Sequence, residues 1–188
     1  MQNRNLRNIR VPKKQRGLTL IELAVGLAIV LAITALVVGV YTTTSRSQRT
    51  NDVQTQLTQI SSQVRSLAPA GNFAGITTKV LADSQKIPDS WIGGTAAAPT
   101  ITTPFGGTIA VAEADLAPGT DNAFTITVND LPVAACNDII TNSLANFVII
   151  NAGATDVKTV ADPDAAPADI ATACAATGDT VDVIFTAV

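Results

Sequence analysis

Apolar residues fill the chain from Leu23 to Tyr41 (LAVGLAIVLAITALVVGVY), nineteen positions with Thr34 as the only polar interruption. At about 1.5 Å per residue a helix of that length spans roughly 28 Å, close to the hydrocarbon thickness of a bilayer. Past Tyr41 the pattern becomes a polar helix with one stripe. Val53, Leu57, Ile60, Val64 and Leu67 recur at spacings of 4, 3, 4 and 3 among Thr, Ser, Gln and Arg. No proline occurs from Leu18 to Ala68, and Pro69 with Gly71 ends the pattern. A continuous helix over 18–67 would be about 75 Å long. The stripe covers about two heptads, so a coiled-coil seam is open to it, but docking onto a sheet is the expectation. Gly26 and Gly39 weaken the apolar half by about 1 kcal/mol each.

Residues 69–107 are rich in Gly, Ala, Pro and Thr, with turn signals at Pro88-Asp89, Gly93-Gly94, Pro99 and Pro104. They read as an irregular connector with one short helix around Thr77–Gln85. Trp91 reads as a packing anchor for this loop, with an exposed ligand platform as the alternative. Four short β-branched or aromatic runs follow: Thr108–Val111, Phe124–Val128, Phe147–Ile150 and Val181–Phe185. Each is bounded by turn residues and predicts a strand. Asp115, Asp121 and Asn122 mark the loop between the first two. Asp130-Leu131-Pro132 reads as an N-cap opening a helix that runs to about Asn146. Residues 151–180, rich in Ala, Asp and Pro, read as a long irregular excursion. Three or four antiparallel strands with a long helix across one face make an α+β fold.

Charge changes the picture at the N-terminus. Of twelve Lys and Arg, six (Arg4, Arg7, Arg10, Lys13, Lys14 and Arg16) lie in residues 1–17, which carry no acid. The other 171 residues hold 6 basic against 15 acidic side chains. That balance argues against nucleic acid bound by the folded part. It also orients the helix, with the basic end cytoplasmic and the acidic remainder exported. A cleaved secretory signal is the alternative, but its apolar region would be about 7–15 residues followed closely by a small-residue cleavage site. The charged content of 14% is low beside the roughly 25% of ordinary soluble domains, so apolar surface is expected to meet something besides its own core. The absence of histidine removes His-based acid–base catalysis, the usual nucleophilic triads and most zinc sites. No catalytic residue, metal site or cofactor is expected.

The cysteines and the acids remain. Cys136 and Cys174 are the only cysteines, both in the exported part. They are either a disulfide, favoured by an oxidising compartment, or two buried thiols. Asp162-Pro163-Asp164 and Asp169 lack a calcium-ligand spacing and read as solvated loop acids. Glu22 stands at the lip of the apolar run, where a carboxylate costs on the order of 2–3 kcal/mol. It either snorkels to water or awaits a partner.

Lys13-Lys14-Gln15-Arg16-Gly17 followed by Leu18-Thr19-Leu20-Ile21-Glu22-Leu23 resembles the processing signal of type IV prepilins. The resemblance implies cleavage between Gly17 and Leu18 by prepilin peptidase, N-methylation of the Leu18 amine, and a role for Glu22 in filament assembly. It further implies a basic leader over 1–17 and a long helix over 18–67 whose 23–41 part is the membrane span and filament core. The head would then be 68–188, with the loop 68–107 and a disulfide region 136–174. The run FTITVNDLPVAACNDIITNSL, the non-Phe residue at Leu18 and the 171-residue mature length resemble the type IVb subclass, which includes toxin-coregulated pilin and PilS-like pilins. Partners implied are further copies of the chain, the inner membrane before assembly, the peptidase and the assembly machinery. The implied location is the inner membrane and then a surface pilus for adhesion, aggregation or conjugation. A type II secretion pseudopilin or minor pilin is the nearer alternative, and a membrane-anchored periplasmic enzyme the distant one.

Overall fold

A computed structural model describes residues 19–175 and 178–188, with all their side chains except those of Val38, Gly39 and Thr42. The expected leader over 1–17 and the expected cleavage-site residues Gly17 and Leu18 lie outside the described residues. The uninterrupted run and the stripe behind it form one helical element, α1, at Leu20–Leu67. The chain divides into two compact units at Thr43 and Thr44, so α1 contributes to both.

In the second unit the stripe packs as its spacing predicts. Val53, Leu57, Ile60 and Val64 are buried, Leu67 half-buried, and all five join the core formed with the sheet. Among the described residues seven strands make that sheet, β1 (Ile92–Gly94), β2 (Pro99–Thr102), β3 (Thr108–Ala114), β4 (Ala123–Pro132), β5 (Ile149–Ala152), β6 (Thr155–Lys158) and β7 (Thr180–Ala187), in the order β1-β2-β3-β4-β7-β5-β6, with every neighbouring pair antiparallel. Three of the four expected strands are present and longer than read: β3 at Thr108–Ala114, β4 at Ala123–Pro132 and β7 at Thr180–Ala187. The fourth, β5 at Ile149–Ala152, has the expected length but begins two residues later than Phe147. Phe124, Ile126 and Val128 of β4 alternate with half-exposed Thr125 and Thr127, the period-2 pattern of a sheet with one buried face. Two ring pairs, Phe73 with Phe124 and Phe147 with Phe185, each 4.9 Å between centroids, fix side chains across the core.

The β-content of the two supposedly irregular stretches corrects the sequence reading. Residues 69–107 hold α2 at Thr78–Asp83, a 3-10 turn at Asp89–Trp91, β1 at Ile92–Gly94 and β2 at Pro99–Thr102. Strands of three and four residues containing glycine or proline carry no readable pattern. They exist because β2 pairs with β3, Ile101 opposite Ile109, and β1 pairs with β2. Residues 151–180 likewise hold the end of β5, β6 at Thr155–Lys158 and α4 at Pro167–Ala175. Pro167 takes the first helical position, where its missing N–H costs nothing, and alanines continue the helix. Trp91 is half-buried against the core, as a packing anchor would be.

Asp130 is not a helix cap. It lies within β4 at φ 56°, where the register slips between Val128 and Leu131, and its N–H donates to Asp182 Oδ1 at 2.9 Å. This is a bulge with the left-handed residue that Asp tolerates. Gly107 permits it, because a Cβ there would sit 2.0 Å from the Asn129 carbonyl oxygen. The helix α3 begins after Pro132, at Val133–Ser143, with Pro132 as its N-cap and no side-chain cap bond. At its other end Lys158 of β6 supplies what the sequence reading overlooked. Its Nζ donates to the Leu144 and Phe147 carbonyls at 2.6 and 2.8 Å, satisfying acceptors beyond the last turn. Lys158→Met should therefore lower stability by about 1.5–3 kcal/mol, since hydrogen bonds to a charged group are lost and two part-buried acceptors are stranded. Thermal denaturation of the mature chain would show it as a drop of roughly 3–10 °C; an unchanged midpoint would refute it.

Candidate functional site

The start of α1 is built by four consecutive residues. Thr19 precedes the helix and its carbonyl accepts the first intrahelical bond, from Leu23 N at 3.1 Å. Its Oγ1 accepts from the Glu22 backbone N–H at 3.3 Å. Glu22 answers with Oε2, which accepts from the Thr19 N–H at 3.2 Å and the Thr19 hydroxyl at 3.1 Å. This is a reciprocal capping box, T-x-x-E, satisfying two backbone donors that the first turn would otherwise leave bare. The acid also sits at the positive end of the helix dipole, worth about 0.3–1 kcal/mol. Glu22 stands out in the sequence by its charge, whereas the only signal for Thr19 is the three-residue spacing from Thr to Glu in Thr19-Leu20-Ile21-Glu22.

Behind this carboxylate the helix is apolar on every side. Over Leu20–Val37 the mean hydropathy is 2.7 and none of the segment is buried within the chain. A helix hydrophobic all round is stable only against lipid or protein. Thr34 does not break that character, because its hydroxyl donates to the Val30 carbonyl at 2.7 Å and so needs no outside partner. Glu22 is consequently the one ionisable group in the span, held at its edge by Thr19.

In the second unit the two cysteines meet. Cys136 on α3 and Cys174 on α4 form a disulfide with a Cα–Cα distance of 5.9 Å, and both residues are fully buried beside Ile139, Ile140 and Ile170 in the core. Asp162, Asp164 and Asp169 are exposed, and no group of three or more metal-ligating side chains converges among the described residues.

Comparison with known proteins adds independent findings. Residues 47–188 match the family described as PilS N terminal, and residues 12–40 match the prokaryotic N-terminal methylation motif. The major structural subunit of the bundle-forming pilus of Escherichia coli O127:H6 is 27% identical over 189 residues, covering 92% of this chain and 94% of that protein. The crystal structure of a type IVb pilin from Salmonella typhi superposes with a TM-score of 0.53 at 21% identity, over 74% of this chain and 97% of that one. TcpA, a type IV pilin from Vibrio cholerae El Tor, gives 0.58 at 15% identity, over 75% and 99%. Those two likenesses concern the fold. The match over 142 of 188 residues, joined to the exposed apolar helix, its bound carboxylate and the α3–α4 disulfide, assigns the chain to the PilS family as a pilin, a structural subunit.

Proposed function

We propose that this pilin is made as a membrane precursor, loses residues 1–17 by cleavage between Gly17 and Leu18, and polymerises through α1 into a surface filament. The Leu18 amine is N-methylated after the cut. The mature helix waits in the inner membrane with its acidic head outside, and the assembly machinery then moves it from lipid into a core of identical helices. The chain acts by assembly and carries out no catalysis. The bundle-forming pilus subunit of Escherichia coli is the relative whose role it would share.

The observation that carries this reading is the wholly exposed apolar half of α1 with a single carboxylate pinned to its first turn. Removing the leader strips six cations and leaves one positive α-amine at Leu18. Between neighbouring subunits, Glu22 neutralises that amine, and low dielectric strengthens the attraction. An unpaired buried Glu would cost several kcal/mol, so the pair selects one axial stagger over others. The capping box supports the role. It commits Oε2 to Thr19 and so holds the carboxylate at a defined place, from which it can accept from an incoming ammonium. A repeating heterologous contact of this kind need not close, and an open helical filament is the result. Burial of the apolar helix against its neighbours supplies the driving force where the filament replaces water, at about 25 cal/mol per Å².

Gly17→Val tests the first step. A β-branched residue crowds the backbone that the peptidase must reach, where glycine leaves it open. The variant should accumulate at precursor size in the membrane fraction on an immunoblot, with no pili by electron microscopy. A band of mature size, with normal pili, would place the cut elsewhere.

A further inference from the structure

Assembly through α1 leaves Trp91 unexplained beyond its packing. This residue, half-buried, lines one side of an open cavity of about 270 Å³ in the head. α1 contributes Asp52 and Gln56 to the lining, and the end of β2 contributes Thr102, followed by Thr103. The walls are tied together: Thr102 Oγ1 donates to the Trp91 carbonyl at 3.2 Å, and Gln56 Nε2 donates to the Thr102 carbonyl at 3.2 Å. Gln56 itself is only 3% exposed, and its Oε1 is a buried acceptor with no donor among the described residues. An oxygen buried unpaired is costly, so a small turn of the amide that brings Oε1 to a donor in the cavity is favoured.

We propose that this cavity binds a single neutral sugar residue of a glycan, with Gln56 and Asp52 accepting hydrogen bonds from its hydroxyls and Trp91 packing against its C–H face. The chemistry of the lining selects the ligand. It has no lysine or arginine and one exposed carboxylate, which disfavours an anion. Thr and Ser hydroxyls with amide and carboxylate oxygens suit a polyol and are too polar for a lipid tail. An indole has a negative face, which attracts the polarised C–H bonds of a pyranose ring. The volume falls just under the range of about 300–1,000 Å³ that takes drug-sized ligands, which fits one ring and not an oligosaccharide.

Trp91 is the only tryptophan in the chain, so its fluorescence reports on this place alone. The detergent-solubilised mature chain would be titrated with the methyl glycosides of glucose, galactose, mannose, N-acetylglucosamine and N-acetylgalactosamine, and with glucuronate as the anionic probe. At least one neutral glycoside should give a saturable change with Kd of about 1 mM, the weak affinity of a small open site. Asp52→Ala, at an exposed position that the fold does not need, and Gln56→Met should each raise that Kd by about tenfold, equivalent to about 1.4 kcal/mol. No saturable change with any neutral glycoside to about 100 mM would overturn the proposal. So would a Kd for glucuronate as low as for the neutral glycosides, or a Kd left unmoved by Asp52→Ala. A change that tracked protein concentration and not sugar would assign the cavity to a second copy of the chain, and would overturn it as well.

Discussion

Glu22→Gln is expected to be cleaved and inserted like the native chain and to form no filaments. The substitution separates the two jobs of this side chain. A glutamine amide oxygen can still accept from the Thr19 N–H and hydroxyl, so the capping box that Oε2 now makes would survive. What is lost is the negative charge that would neutralise a neighbour's amine in a low-dielectric core. Removing one member of a buried charge pair costs about 2–5 kcal/mol, much of it from the stranded opposite charge. At each subunit addition that is a factor of about 30 to 4,000 in the equilibrium. Polymer growth compounds it. Electron microscopy of sheared cells should show bare surfaces while the mature-sized protein stays in the membrane fraction. Thr19→Val is the complementary change, since it removes the hydroxyl of the box and leaves the charge. It should weaken the helix start by about 1 kcal/mol and reduce pili without abolishing them. Normal pili from Glu22→Gln would mean that capping alone is the function of the carboxylate and would remove the pairing argument.

Replacing Cys136 and Cys174 together by alanine is expected to destabilise the head by about 4 kcal/mol. The two are 38 positions apart, and loop-closure entropy for that length gives a figure of this size in the chain-entropy account. In thermal denaturation it corresponds to a drop of roughly 10 °C. Alanine is the right replacement because both positions are fully buried and a serine hydroxyl there would lack a partner. The same burial means that a reductant added to the native protein reaches the sulfurs only when the head opens, so the double variant is the cleaner experiment. Proteolysis should localise the damage. α4 and β6 are ordered elements, leaving the exposed stretch 160–164 as the first place for a protease to cut once α4 is no longer bonded to α3. A melting midpoint within about 2 °C of native would show that core packing, with Ile139, Ile140 and Ile170, holds α4 without the bond.

The parts of this molecule that were legible in one dimension share a property: their pattern is local and long. Nineteen apolar residues, a 4-3-4-3 stripe and a β-branched run such as Phe-Thr-Ile-Thr-Val each repeat enough to exceed chance. The short strands do not. Ile92-Gly93-Gly94 and Thr155-Asp156-Val157-Lys158 are strands because a neighbouring strand offers them hydrogen bonds, and nothing within either segment announces that neighbour. Asp130 misled for a related reason. An acid followed two residues later by proline is a helix-opening signal, and here the acid instead occupies a bulge whose partner, Asp182, lies 52 residues away. The site was split in the same manner. Glu22 was readable from its charge and position, and Thr19 from the T-x-x-E spacing, whereas Gln56 looks like any polar helix residue until β2 covers it.

By itself, then, the order of residues determined the apolar span, the cationic stretch ahead of it, the carboxylate at its edge, the buried stripe of the second helical half and the α+β class. All of these follow from solvent partition and helical or extended periodicity, which act over neighbours in the chain. Only the tertiary structure decided that β7 enters the sheet between β4 and β5, that Cys136 and Cys174 join α3 to α4, and that Lys158 closes the end of α3. It also decided that Gln56 and Trp91 line one cavity. These depend on contacts between residues far apart in sequence, whose energies appear only once loop closure has brought them together.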